Sequence, residues 1–461
     1  MWITNCKEIL AAAQNQKLKA LRQIGLSLID KMVSELQPEV LLKNSLHRVN
    51  NELLIGPSII NLSEFDEILV LGGGKAAIGL ANALEAFFPD RPLRGLLTIP
   101  DGLTLEIDVS PEIILQKASH PIPDNRGLKA TKKMVKLLKG AAERSLVLFL
   151  ISGGGSALMP LPAGGISLKA KIEVNQLLLG SGADIHEINT VRKHLSAWKG
   201  GQAAKLAFPA TLVSLILSDV IGDPLDVVAS GPSIPDSSTF SDAHNILAKH
   251  NLWDNVDASV RKHIESGLDN KIPETPKFGD TIFQNTIVEV IGNNRTATNI
   301  IVNRGRELGY NTLVLTNALQ GEAREVGKTI GAICLQLERF KEPISKPCIV
   351  LLGGETTVTV IGDGSGGRNQ ELALGCSGVI SGLKKTCVFA FGTDGIDGSS
   401  DAAGAIVDGT TYQRFSIEEI DIEDVLRRND SATAFKRLGD DIVTGYTGTN
   451  VADIILIISQ D

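Results

Sequence analysis

Three short runs, residues 68–71, 146–151 and 212–217, carry no charge, and each stops abruptly at glycine, serine or aspartate. A strand that is apolar on both faces has to be covered on both. Parallel sheets flanked by crossover helices provide that cover. Between and after these runs lie stretches with helical character, at residues 75–87 and 168–179, the second preceded by Ser167 as a candidate N-cap. The alternation predicts a doubly covered, mostly parallel sheet. In such a sheet ligand loops sit at the carboxyl ends of the strands.

The N-terminal residues 9–17 and 18–36 read as helical, stopped before Pro38. A polar stretch at residues 266–280, with Pro273 and Pro276, reads as a linker. Beyond it the pattern restarts, with strands at 288–291, 313–315 and 348–352 and helices at 296–308 and 322–340. The expected division is therefore two α/β domains, 1–270 and 281–461, the first larger and Rossmann-like.

The net charge of −8, the absence of a Lys/Arg block and an aromatic content of 4% exclude an obvious nucleic-acid or anionic-membrane partner. No apolar run reaches the roughly 18 residues of a membrane span, and the N-terminus lacks a basic, then apolar, leader. The five cysteines have no metal-ligand spacing and read as free thiols of a reducing compartment, so a cytoplasmic protein is expected. A homodimer is left open.

Six segments offer chemistry. Gly72-Gly73-Gly74-Lys75 follows the first apolar run as a phosphate-cradling turn with a lysine at the next helix start. It lacks the P-loop spacing but fits Gly-x-Gly-x-x-Ala. Ser152-Gly153-Gly154-Gly155-Ser156 follows the second run as an anion nest. In the segment from Asn189, a polar stripe of Asn189, Arg192, Ser196 and Lys199, flanked by Lys193, lies beside an apolar stripe of Ile188, Val191, Leu195 and Trp198. Asp219 ends the third run, with Asp223 nearby, where a carboxylate holds Mg²⁺ or orients a hydroxyl. Gly366-Gly367-Arg368 opens a helix after a glycine-rich loop, and Arg368 supplies a fixed cationic fork. Asp394, Asp397 and Asp401 stand in a later glycine-rich loop as hard-cation ligands, and Thr449-Asn450 precede the last strand. Each segment also has a plainer reading, as a tight turn or a solvated basic face. Their repetition at predicted strand ends is what points to phosphate chemistry.

These residues bring a resemblance with them. Gly73-Gly74-Lys75-Ala76-Ala77, His120-Pro121-Ile122-Pro123-Asp124, residues 152–158, Val191-Arg192-Lys193-His194-Leu195-Ser196, residues 217–223, Gly366-Gly367-Arg368-Asn369-Gln370-Glu371, residues 392–398 and Thr447-Gly448-Thr449-Asn450 together resemble the glycerate 2-kinases that carry a C-terminal MOFRL domain. Nearly the whole chain is covered. The resemblance implies two α/β domains with a cleft between them, and ATP-dependent phosphorylation of D-glycerate to 2-phosphoglycerate with Mg²⁺. It also implies a catalytic lysine and arginine at Lys75 and Arg368. Tyr446 and Gly164 stand where the family often has proline, and Gln202 where it has arginine.

On this reading Lys75, Arg368 and Asp219 are catalytic, with Lys75 and Arg368 flanking the transferred phosphoryl group. Gly72, Gly73, Gly74, Ser152, Gly153, Gly154, Gly155, Ser156, Gly366, Gly367, Thr449 and Asn450 bind nucleotide or phosphate. Asn189, Arg192 and Lys193 bind the glycerate carboxylate, and Asp219 and Asp394 are the candidate metal ligands. The alternatives are an NAD(P)H-dependent hydroxypyruvate reductase, which the Gly72-x-Gly74-x-x-Ala77 pattern would serve, and a non-catalytic binder of phosphorylated metabolites.

Overall fold

The computed structural model describes residues 1–102, 109–222 and 224–461; Asp223 lies outside them. The chain forms two compact units. One is Pro38–Ile291; the other joins Met1–Gln37 to Gly292–Asp461.

In the Pro38–Ile291 unit, a small antiparallel meander of β1 (Leu46–Val49), β2 (Glu52–Ile55) and β3 (Ser58–Asn61) precedes the main sheet. That sheet holds β4 (Glu67–Gly73), β5 (Leu93–Pro100), β6 (Ile113–Ala118), β7 (Ser145–Ile151), β8 (Thr211–Leu217) and β9 (Thr286–Gly292). Its order is β6-β5-β4-β7-β8-β9, and β6 through β8 run parallel. The charge-free runs of the sequence are its central strands, and β7 is buried along its whole length, as two-sided coverage requires. Leu69, Leu71, Val147 and Phe149 pack with Met134 and Trp198 in one core. A second, helical core gathers Val174, Leu178, Ile188, Val191, Leu195 and Phe240. Ser167 caps helix Leu168–Gly180 by accepting from the Ala170 amide at 3.0 Å.

The other unit carries β10 (Asn311–Leu319), β11 (Cys348–Gly354), β12 (Thr386–Gly392), β13 (Gly404–Asp408), β14 (Asp441–Ile442) and β15 (Asp453–Ser459). The order is β10-β11-β15-β12-β13-β14. Only β10 and β11 are parallel among the paired strands; β15 enters antiparallel between β11 and β12. An apolar run signals coverage on both faces but not strand direction. Cys334, Cys348, Cys376 and Cys387 are buried free thiols here, and Cys6 is half-buried.

The division differs from the expected 1–270 and 281–461 in two places. Helix Gln16–Glu35 belongs with the C-terminal residues because fully buried Arg22 reaches Asp408 at 2.7 Å and Asp440 at 2.6 Å. The stretch expected as a linker is packed within the first unit. Thr275 donates to Asp236 at 2.9 Å, and β9 beyond it extends the first sheet. The chain crosses between units at Gly292 instead.

Candidate active site

In the order β6-β5-β4-β7-β8 the chain moves outward in opposite directions from β4 and β7, so the switch point lies between them. The loops after β4 and β7 are the two triple-glycine segments, and they are stitched together. Lys75 N donates to Gly153 O at 2.9 Å, and Ala76 N to Ser152 Oγ at 3.0 Å. Gly74 is required for this contact. Its φ is +145°, and a Cβ there would meet Ser152 Oγ at 2.1 Å. The amides of Gly74, Lys75 and Ala76 thus go to protein acceptors.

Beside this junction lies a pocket of about 210 Å³. Gly154 and Ser156 from the β7 loop line it, with His120, Lys171, Asn175, Arg192 and Lys199. No carboxylate is among the lining residues. Lys171 is 8% exposed and Lys199 3%. Burial, then the charge of Arg192, pushes the Lys171 ammonium down to about 7. Burial, then Lys171 and Arg192, pushes Lys199 well below the usual lysine range, and burial also lowers Arg192. Burial, then the charge of Lys75, depresses His120, so Lys75 acts electrostatically on the pocket wall. Three basic groups, Lys171 and Lys199 buried and Arg192 partly so, with no carboxylate among the lining residues, suit a small anion.

Of the three residues expected to hold the substrate, Arg192 is in the pocket, with Nε donating to Asn175 Oδ1 at 2.5 Å. Asn189 lies one layer back. It accepts from Ser230 Oγ at 2.7 Å while its amide donates to Ile185 O. Lys193 is elsewhere, buried against Asp226 at 2.7 Å and Asp236 at 3.3 Å. Lys199, also in the expected polar stripe, takes its place in the pocket, reached after helix Ile185–His194 has ended. Past that end, Trp198 turns onto Phe149, with ring centroids 5.6 Å apart, and Lys199 turns to Ser156. Lys171 was missed, although its spacing to Val174 and Leu178 places it on the buried face of its helix. Asp219 follows β8, half-buried, and is not among the pocket residues.

The expected residues of the other unit gather around the start of β15. Arg368 is bound through Nε to Asp453 at 2.5 Å and through a terminal nitrogen to Glu355 at 2.7 Å. Helix Arg368–Val379 points its first amides, Asn369 N and Gln370 N, at Asp397, at 3.0 and 2.8 Å. An internal carboxylate therefore holds the position expected of a phosphate. Gly367 makes room for it, since a Cβ there would meet Asp397 Oδ1 at 2.3 Å. Burial raises Asp397 to about 7 against the pull of those amides. Thr447 N donates to Asp394 O at 3.1 Å, bringing the Thr449-Asn450 loop alongside. The hydroxyl of Thr449 and both ends of the Gln370 amide are buried with no hydrogen-bond partner among the described residues. No group of three or more His, Cys, Asp or Glu among the described residues forms a preformed metal site, and no described helix is long and apolar enough to cross a membrane.

The chain has close relatives. Residues 25–265 match a family described as a domain of unknown function (DUF4147), and residues 348–453 match the MOFRL family. A glycerate 2-kinase of Pyrococcus horikoshii is 40% identical over 446 residues, covering 95% of this chain and 97% of its own. A protein of Agrobacterium vitis, provisionally named a hydroxypyruvate reductase, is 40% identical over 392 residues, covering 85% of this chain and 86% of its own. The crystal structure of a glycerate kinase from Thermotoga maritima superimposes with a TM-score of 0.83 at 36% identity, covering 96% of this chain and 100% of that one. The chain belongs to the glycerate 2-kinase family, kinases that join a DUF4147 domain to a MOFRL domain.

Proposed function

We propose that the protein transfers the γ-phosphoryl group of ATP in line to the 2-hydroxyl of D-glycerate, giving 2-phosphoglycerate and ADP. The observation that carries this reading is the small pocket of Lys171, Arg192 and Lys199, free of carboxylates and set beside the two glycine loops of the switch point. A three-carbon hydroxy acid fits its size, and a carboxylate fits its charge. Arg192 and Lys171 hold the carboxylate in this scheme, with Asn189 supporting the pocket wall through Ser230. Phosphoryl transfer asks mainly for positioning and for positive charge on the transferring group. Lys75, at the stitched loops of Gly72, Gly73, Gly74, Ser152, Gly153, Gly154 and Gly155, supplies that charge. Arg368, Gly366, Gly367, Thr449 and Asn450 are assigned to the nucleotide on the family resemblance.

Mg²⁺ is held by few protein groups in such enzymes, because nucleotide phosphates and water complete its shell. Single carboxylates at strand or loop ends, as at Asp219 and Asp394, fit that demand. When bound, the ion would neutralise charge on the phosphates.

The test is a coupled assay on purified protein with ATP, Mg²⁺ and D-glycerate, the product read by enolase, which takes the 2-phosphate. Enolase-competent product is expected, and Lys75→Ala should lower turnover by about 10²–10³. A folded Lys75→Ala protein with near-normal turnover refutes that role. The name of the Agrobacterium vitis relative favours a second reading. A reductase would consume NADH with hydroxypyruvate in the absence of ATP and leave the enolase assay silent.

A further inference from the structure

Lys199 has an environment unlike that of the other buried cations. Its Nζ donates to Ser156 O at 2.8 Å and lies against Ser156 Oγ. Ser156 Oγ is 3.2 Å from Ser230 Oγ, which donates to Asn189 Oδ1 at 2.7 Å. The Asn189 amide is oriented in turn by the carbonyl of Ile185, at 2.9 Å. Ser230 has one proton and gives it to Asn189. The Ser156 proton therefore goes to Ser230, and Ser156 Oγ faces Lys199 as an acceptor. Two of the amine's positions are fixed on Ser156, and the remaining side adjoins the pocket that Lys199 lines.

The charged and titratable groups around that side come from three elements. They are Lys171 from helix Leu168–Gly180, Arg192 from helix Ile185–His194, and His120 after β6, itself under the field of Lys75. None is a carboxylate. Nothing in the pocket wall holds a proton on Lys199, and burial works against it. With two positions spent on Ser156, the amine's remaining position is the one that can take up a proton from the pocket side.

We propose that Lys199 is the catalytic base, taking the proton from the hydroxyl that is phosphorylated. The assignment rests on the glycerate reading of the pocket. An α-hydroxy acid carries its hydroxyl on the carbon next to the carboxylate. A base for that hydroxyl must therefore sit beside the carboxylate's own binding groups, as Lys199 sits beside Arg192 and Lys171. A hydroxyl one carbon further on would lie farther from it, which accounts for attack through the 2-position. In the step, the O–H bond breaks and its proton forms an N–H bond at Lys199. The hydroxyl oxygen's electron pair forms the new O–P bond. The bond from the γ-phosphorus to its bridging oxygen breaks, and that electron pair leaves on ADP. Lys199, now an ammonium, faces the new phosphate ester and returns its proton to water as product leaves. Asp219, outside the pocket lining, is then left to the metal.

Lys199→Arg keeps a long nitrogen-tipped side chain but is always protonated and offers no base. It should lower kcat by about 10²–10⁴, the usual worth of a general base, with KM for D-glycerate changed only a few-fold. Protonation of Lys199 should give wild-type kcat/KM an acid limb, and that limb should vanish in this variant. Lys199→Ala should regain turnover with added methylamine, in proportion to the concentration of free amine. A Lys199→Arg enzyme within fivefold of wild-type kcat overturns the proposal. So does an unchanged acid limb, or a folded Lys199→Ala enzyme that methylamine leaves inert. If neither variant folds, the wild-type profile decides alone, and a kcat/KM with no acid limb across the range in which the protein stays folded overturns the base. Wild-type protein that makes no phosphoglycerate removes the functional reading and this proposal together. Active wild type with active Lys199→Arg removes only the base.

Discussion

Lys171→Met should stabilise the unit that carries it while damaging substrate binding. The ammonium is buried, has the carbonyl of Leu161 at 3.4 Å, and feels the repulsion of Arg192. Its pKa falls from 10.5 to about 7. Each pH unit corresponds to a factor of ten, so at neutral pH the buried lysine costs the fold on the order of 4 kcal/mol, a ceiling for what an apolar side chain of similar length recovers. Because the folded pKa lies below the unfolded one, the unfolded chain holds the extra proton between about pH 7 and 10. The penalty is full below that window and fades across it by ~1.4 kcal/mol per unit. The advantage of Lys171→Met should therefore be largest near pH 7 and small near pH 10. Trp198 and Trp253 lie in this unit and Trp2 in the other, so a Trp2→Phe background confines fluorescence to the relevant transition. Urea unfolding of both proteins at several pH values gives the difference. Loss of one charge-assisted contact should raise KM for D-glycerate about ten- to a hundredfold. A variant no more stable than wild type at pH 7, or an advantage that does not change with pH, refutes the claim that this cation is buried without compensation.

Two further outcomes follow from the buried geometry. Arg22→Met leaves Asp408 and Asp440 facing each other without their shared cation, and should cost about 3–5 kcal/mol in urea unfolding followed by Trp2, whose indole donates to Ser34 on the same helix. A loss under about 1 kcal/mol would mean that Arg414 alone satisfies the pair. Gly74→Ala forces a side chain into a backbone at φ +145° and against Ser152, so it should destabilise by at least about 2 kcal/mol and displace Lys75. A stable variant with normal glycerate kinase turnover would show that the stitch between the two loops is dispensable.

What the sequence disclosed was whatever a local signal encodes. The central strands were visible because both their faces are apolar, and the cap at Ser167 because its hydroxyl sits one residue before a helix. The glycine loops were visible as loops, but not as partners whose amides satisfy each other. Pairings across long separations left no local trace. Arg22 meets carboxylates 386 and 418 residues away, which is why the N-terminal helix was assigned to the wrong half. The choice of substrate residues failed over shorter separations. The stripe contained Lys199, but the flanking Lys193 was taken as a binding residue in its place, because no local signal shows that Asp226 and Asp236, 33 and 43 residues away, claim Lys193. Lys171 had a signal, the spacing to Val174 and Leu178, that a lysine's usual place at the surface obscured.

The buried cations of this chain sort into two kinds, and the sorting carries chemical meaning. Arg22 lies between two aspartates and Lys193 between two. Each brings its own counter-ions, so its burial is satisfied before any ligand arrives, and its first duty is to hold elements in place. Lys171, Arg192 and Lys199 have none among the residues lining their pocket. Burying these basic groups without carboxylates costs the fold, and their lowered pKa values show it; an arriving anion would favour their charged forms and offset that cost. Arg368 stands between the kinds. It is half-exposed enough to meet a ligand, yet an anion reaching it must take the place of Glu355, the more open of its two carboxylates, or arrive with a cation of its own. A nucleotide phosphate carrying Mg²⁺ meets the second condition, whereas a bare carboxylate meets neither without breaking an existing ion pair. That asymmetry supports the proposal that the hydroxy acid takes the pocket of Lys171 and Arg192, and it is compatible with the resemblance-based assignment of Arg368 to the nucleotide.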